Sequence, residues 1–208
     1  GICVERNMSG ATTVSSTSHI AYQAGIKIFS TGGVGGVHRG YNDSLDMSQD
    51  ILSLSQTPII VVCSGVKSFL DVKKTIETLE TYGVTTVGYN TDSFPLFYSS
   101  DSGYKLQYSF KNTDRLASLY KNNTRNGLKS STLVLNAVPK SKEIPERKIK
   151  DIISVAIKKM NRKGVTGKET TPFLLNEIAV KTNNKSLNTN IHLALNNIRL
   201  GAKIAKKL

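Results

Sequence analysis

Tryptophan is absent from these 208 residues, and cysteine, histidine and proline are scarce, at two, three and five. Cys3 and Cys63 are too few for a disulfide framework, and Cys63 closes an apolar run, which marks it as buried and reduced. No window approaches the ~18 uncharged apolar residues of a membrane span. The opening GICVERNMSG has no basic stretch followed by an apolar one, so no secretory signal is read there. The final Lys206–Lys207–Leu208 lacks the small first residue of a peroxisomal address. Together these readings lead us to expect a cytoplasmic chain with no membrane partner, the faint C-terminal likeness to a peroxisomal address leaving that or another organelle as the alternative. Acidic residues are also short, 15 against 28 Lys and Arg, for a net charge of +13. Such an excess suits nucleic acid, an acidic membrane surface or phosphorylated small molecules. Ten basic and three acidic residues fall between Lys140 and Lys168, largely on one amphipathic helical pattern. That stretch lacks the aromatics that stack on bases, so it reads as a solvated face and nucleic acid is not the expected partner.

What is present is an alternation of short β-rich runs with helical patterns. Strands are predicted at Ile26–Phe29, Pro58–Cys63, Val84–Gly88 and Thr132–Leu135. Between them lie predicted helices at about Ser15–Gly25, Asp46–Ser55, Val66–Tyr82 and Asn112–Arg125. This order predicts an α/β fold with parallel strands and crossover helices. From Pro145 onward the patterns are helical only: Ile149, Ile152, Ile153, Ala156 and Met160 recur at helical spacing, and helices at Pro172–Lys181 and Ser186–Lys206 follow. No linker separates the halves, so one domain over residues 1–208 is expected, and 38% apolar residues suffice for its core. The stretch Thr91–Lys105 is a long connection of the functional or oligomer-contact kind.

Three segments carry candidate chemistry. TGGVGGVHRG (Thr31–Gly40) follows the first strand, and its glycines let backbone N–H groups approach a ligand. It is neither a dinucleotide fingerprint nor a P-loop, so by itself it reads as a ligand loop or a tight turn; His38 and Arg39 tilt it toward an anionic or metal-linked site. DMSQD (Asp46–Asp50) places two carboxylates four residues apart. They suit a divalent cation that keeps several waters, or else an N-cap at Asp46 with Asp50 complementing the helix dipole. VVCSGVKSFLD (Val61–Asp71) puts Lys67 in the first turn of a predicted helix at a strand's carboxyl end. There the helix dipole and partial burial both disfavour a positive charge, giving a neutral amine able to attack a carbonyl; a surface lysine at a helix start is the plainer alternative. Asn190, Asn196 and Asn197 on the last helix suit either a heterocycle or buried backbone groups, and His192 reads as structural.

In order along the chain, ATTV, TGGVGGVHRG, DMSQD, VVCSGVKS, LETYGV, TDSFP, TPFLL and the amide-rich last helix resemble the pseudouridine-5'-phosphate glycosidase family, which includes the indigoidine-cluster A proteins. The match runs from about Gly10 to the C terminus, and GICVERNMS fits poorly. The resemblance implies an α/β/α sandwich with a helical C-terminal part, and a homotrimer. It makes Lys67 the Schiff-base residue, Asp46 the Mn²⁺ ligand, and Val14, Ser48, Gln49 and Asp50 substrate contacts, with His38 and Asn190 at further active-site positions. The implied reaction, of the carbon–oxygen lyase class, is reversible cleavage of pseudouridine 5'-phosphate to uracil and ribose 5-phosphate in pseudouridine catabolism. The family's N-terminal third, with a glutamate proton donor and a substrate-contacting lysine, has no counterpart in these residues, and the N-P-x-P segment reads Asn136–Ala137–Val138–Pro139. Alternatives are an impaired homologue or fragment that binds sugar phosphate or a full-length subunit, and a basic nucleic-acid-binding protein, whose affinity would fall steeply with salt.

Overall fold

Two apolar runs, Ile60–Cys63 and Thr132–Leu135, are buried at every residue, the pattern of strands covered on both faces of a parallel sheet. The computed structural model describes residues 1–12 and 14–208. In it five strands form one sheet: β1 (Ile28–Ser30), β2 (Ile60–Cys63), β3 (Thr85–Tyr89), β4 (Ser109–Phe110) and β5 (Thr132–Leu135). Their spatial order is β1-β2-β5-β3-β4, every pairing parallel, with Ile28 opposite Ile60 and both Ile60 and Thr85 opposite Thr132. The helices are α1 (Ile2–Glu5), α2 (Val14–Gln23), α3 (Tyr41–Ser44), α4 (Gln49–Gln56), α5 (Val72–Thr81), α6 (Thr113–Arg125), α7 (Glu146–Arg162), α8 (Thr170–Lys181) and α9 (Lys185–Ala205).

The fold is an α/β/α sandwich. On one face α6 and α9 bury Leu116, Ala117, Tyr120, Leu200 and Ile204 against Ile60, Val62, Val87 and Val134. The alternate residues Val61, Cys63, Leu133 and Leu135 belong to a larger cluster on the other face, with Ile51 and Leu54 of α4 and Leu79 of α5. Full burial of each aliphatic side chain is worth about 1.5–3 kcal/mol, so these two layers fix the register. The α7–α8 pair joins the larger cluster through Ile149, Ile153, Ala156, Leu174 and Ile178, giving the helical C-terminal part its anchor. Among the described residues no helix is long and apolar enough to cross a membrane.

Two helix starts differ from the sequence reading, and both matter for the site. The helix predicted from Val66 begins at Val72, because Asp71 is its N-cap and accepts from Lys74 N at 3.1 Å. Val66 instead bridges to Val34, and Ser68 Oγ donates to Leu96 O at 2.7 Å, so residues 64–71 form a loop. The helix predicted from Asp46 begins at Gln49 with Ser48 as N-cap, its Oγ accepting from Asp50 N at 3.2 Å. Asp46 therefore lies ahead of the helix: it neither caps it nor shares a helical face with Asp50. The two-residue β4 and the short α3 were not anticipated; each is too brief to show periodicity. Thr13, in the ATTV segment, lies outside the described residues.

Candidate active site

The carboxyl ends of β1 and β2 send out two loops that run side by side. Val34 N donates to Gly65 O at 3.0 Å, Ser64 N to Gly32 O at 2.9 Å and Lys67 N to Val34 O at 3.3 Å. The first is the Gly-rich loop, the second carries Lys67. Gly65 has φ +82°, and a Cβ there would sit 1.9 Å from Pro95 O, so no other residue fits this turn. A Cβ at Gly35 would lie 2.1 Å from Ser48 Oγ and 2.9 Å from an Asp50 oxygen. The glycine is the condition for packing this loop onto the start of α4.

Asp50 is the hub. Its side chain is 3% exposed, yet its oxygens are occupied: Oδ2 accepts from Gly35 N at 2.8 Å and Oδ1 from Ser15 N at 3.1 Å. The carboxylate thus ties the Gly-rich loop to the start of α2, where Val14 is buried in the core. Lys67 is half-buried, and burial lowers its pKa, opposed by the negative charge of Asp50. The expected helix dipole plays no part, since Lys67 stands outside any helix; desolvation alone supplies the push toward the neutral amine. His38 completes the cluster: burial lowers its pKa, Asp46 opposes this, and Lys67 adds to it. His38 Nδ1 lies 3.7 Å from Asp46 Oδ2, and the backbone N–H of His38 donates to the backbone O of Asp46 at 3.0 Å.

Asp46 keeps 47% of its side chain exposed, and Gln49 is exposed at the first turn of α4. Asn190 comes to the Gly-rich loop from α9, its Oδ1 3.1 Å from where a Cβ on Gly32 would stand. Lys67, His38, Asp46, Ser48, Asp50 and Asn190 therefore meet at one carboxyl edge, the place where open α/β sheets bind ligands. Among the described residues no three His, Cys, Asp or Glu cluster as a ready cation cage. A single exposed carboxylate beside a histidine held toward its neutral form still fits a divalent cation that retains most of its waters. Isothermal titration with Mn²⁺ tests the metal role expected for Asp46: affinity in the parent chain that Asp46→Ala abolishes, with the fold unchanged, would assign it. Unaltered affinity would remove Asp46 from that role.

Other residues were less legible. Asn197 on α9 is fully buried, and its Nδ2 donates to Thr31 O at 2.8 Å while Oδ1 accepts from Asn136 Nδ2 at 3.0 Å. Ser64 Oγ donates to Asn136 O at 2.9 Å, so this amide network joins the ends of β1, β2 and β5 beneath the loops. Of the two readings open to the amides, Asn197 serves buried backbone; Asn196 likewise donates to Ala137 O at 3.2 Å. Phe97, 3% exposed at φ +52°, packs over Gly33. Only its place in the long Thr91–Lys105 connection hinted at this.

A Gly-rich loop, a clamped carboxylate and a desolvated lysine thus come together at the carboxyl edge of the parallel sheet. The chain belongs to the indigoidine synthase A-like family, whose model, described as "Indigoidine synthase A like protein", matches residues 1–207. The match includes the first nine residues, which the sequence reading set apart. Similar proteins include a pseudouridine-5'-phosphate glycosidase of Alkaliphilus metalliredigens, 46% identical over 207 residues, covering 100% of this chain and 67% of the relative. The glycosidase of Methylobacterium nodulans is 43% identical, covering 99% and 61%. Among solved structures, an indigoidine synthase A-like protein of Thermotoga maritima superposes with a TM-score of 0.87 at 37% identity, covering 94% of this chain and 64% of that one. The prealnumycin C-glycosynthase AlnA, in complex with ribulose 5-phosphate, superposes at 0.89 with 30% identity, covering 96% and 66%. The chain spans about two thirds of the length of these relatives.

Proposed function

We propose that this chain carries the lysine-bearing part of a pseudouridine-5'-phosphate glycosidase and that Lys67 bonds covalently to the sugar phosphate. The observation that carries the reading is a half-buried lysine whose pKa is lowered by burial, set against a Gly-rich loop at the carboxyl edge of the sheet. The relatives' names supply the substrate, and the pentose phosphate bound by AlnA fits it. Uracil and ribose are joined in pseudouridine by a C–C bond, so cleavage needs an electron sink on the sugar. A lysine imine at C1' provides one.

In the synthetic direction the neutral Lys67 amine condenses with the aldehyde C1' of open-chain ribose 5-phosphate, releasing water. Uracil C5 gives its electron pair to the iminium carbon and then loses its proton. The sugar 4'-oxygen finally displaces the lysine nitrogen from C1'. Cleavage reverses these steps: the Lys67 amine displaces the 4'-oxygen from C1' and opens the ring, C5 is protonated, the C–C bond breaks as the nitrogen lone pair forms the imine, and water hydrolyses the imine to ribose 5-phosphate and the free amine. Gly-rich-loop N–H groups bind the anionic substrate, and Ser48, Gln49 and Asn190 contact it. Asp50, with its oxygens on two backbone N–H groups, holds the loop and Lys67 in place. Mn²⁺ at Asp46 would add electrostatic polarisation of substrate oxygens. A homotrimer, cytoplasmic location and one domain over residues 1–208 complete the proposal.

Uracil release from pseudouridine 5'-phosphate, followed with the 208-residue chain and with a chimera carrying the Alkaliphilus relative's additional segment, tests this reading. General acid help typically contributes ~10²–10⁴-fold, and no counterpart of the family's glutamate is present. Turnover is therefore expected to be slow in the chain alone and faster by that order in the chimera. A chimera that folds but releases no uracil would refute the assignment.

A further inference from the structure

Residues 94–99, in the connection from β3 to β4, form a strap across both loops of the site. Leu96 bridges to Gly65, Ser68 Oγ donates to Leu96 O at 2.7 Å, and Phe97 N donates to Ser64 O at 2.9 Å. The turn that carries Lys67 is therefore held between the strap and the Gly-rich loop. The Phe97 ring also lies on the Gly-rich loop itself. Its atoms stand 2.5 and 2.8 Å from the place of a Cβ on Gly33, and 3.4 Å from that of one on Gly32. Gly33 and Gly65 are thus the points where the strap crosses each loop, and at both a side chain would collide with it.

Phe97 is also the strained residue of the strap. A φ of +52° is an outlier for a bulky side chain, and such residues persist only where the surroundings over-determine them, often at functional sites. Core filling alone does not demand it: Phe94, buried three residues earlier, is not in the positive-φ region. At Phe97 the chain makes a tight turn, with Leu96 N donating to Ser99 O at 2.9 Å and Ser99 N to Leu96 O at 3.1 Å. Tyr98 meets the Phe97 ring edge-on at 4.7 Å between centroids, and its O accepts from Ile144 N at 2.8 Å, which anchors the strap ahead of α7. We infer that Phe97 is a positioning residue for Lys67: its ring on Gly33 and its N–H on Ser64 lock the Lys67 turn against the Gly-rich loop and keep the amine half-buried there. At 3% exposed, Phe97 acts through that turn and not on the reacting atoms. The clamp stands on the geometry; its value for turnover rests on the function proposed above.

Acetylation of Lys67 by acetic anhydride, followed by mass mapping across pH, reads the neutral amine without any sugar. Burial is the largest influence on the Lys67 pKa and lowers it, while Asp50 on α4 opposes it. His38, on the Gly-rich loop, is the other titratable neighbour. Phe97→Ala lets water reach the amine, so the pH midpoint of acetylation is expected to rise, whereas loss of Asp50 would lower it. Trapping of ribose 5-phosphate at neutral pH should then slow by about tenfold for each pH unit of that rise. Phe97→Gly removes the strain as well as the ring. It should show the same rise with a higher unfolding midpoint than Phe97→Ala, since glycine takes positive φ freely, and it carries the readout if Phe97→Ala does not fold. Gly33→Ala drives a Cβ into the ring, so it should cost less stability in a Phe97→Gly background than in the parent. An unmoved acetylation midpoint, or a Gly33→Ala cost equal in both backgrounds, would overturn the proposal. A parent chain that traps no sugar, with the midpoint still rising on loss of Phe97, would uphold the clamp and remove only the function.

Discussion

Lys67→Arg is expected to abolish borohydride trapping of ribose 5-phosphate while leaving the fold intact. Imine formation needs a nitrogen lone pair, and a guanidinium is effectively never neutral in a protein. Arginine keeps the charge and much of the length, so a loss of trapping cannot be assigned to a missing cation. The wild-type reaction carries a pH signature of its own. Burial depresses the Lys67 pKa below the ~10.4 of a free lysine, so the neutral fraction, and the trapping rate with it, rises with pH and reaches half-maximum below that value. The same shift sets a stability trend. Between the folded pKa and ~10.4 the unfolded chain binds more protons, so stability rises with pH across that window. Below the folded pKa both states are protonated, and the penalty for burying the charge is constant.

Asp50→Ala should be the most destabilising single change in the site, by about 3–5 kcal/mol. It removes a charged acceptor from two backbone N–H groups, Gly35 at 2.8 Å and Ser15 at 3.1 Å, each such bond being worth about 1.5–3 kcal/mol. Asp50→Asn keeps one acceptor oxygen and is expected to lose roughly half as much. Urea unfolding measures both. A second readout separates positioning from simple stability: Asp50 raises the Lys67 pKa, so either variant should move the pH midpoint of trapping downward. An unmoved midpoint with full stability would show that Asp50 neither holds the loop nor acts on the lysine.

Four of the five strands and the long helices were legible because burial writes itself into them. IVVC and TLVL are continuous apolar runs, and α7 carries its isoleucines at helical spacing. Local competition defeated the reading at the site. Val66–Leu70 looks like the opening of the helix that follows, but Val66 pairs with Val34 and Ser68 bonds Leu96. Both partners lie far away in sequence. Asp71 was the visible cap signal, three residues before the Lys74 N–H that it binds. At DMSQD the sequence reading considered only Asp46 as a cap, whereas Ser48 caps α4, which leaves Asp46 exposed and Asp50 free to turn inward to Gly35. Asn197 shows the limit of residue-type reasoning. An amide on an amphipathic helix reads alike whether it meets a ligand or the backbone of Thr31, and only the packing of α9 on β1 decides.

Lys67 is proposed to form the covalent bond to the sugar phosphate. Ribose 5-phosphate and borohydride added to the folded chain, followed by proteolysis and mass mapping, test it most directly. A reduced pentose-phosphate adduct is expected, confined to the peptide that contains Lys67 and formed faster as the pH rises toward the lowered pKa of that amine. An adduct spread over the surface lysines, or none on properly folded protein, would contradict it.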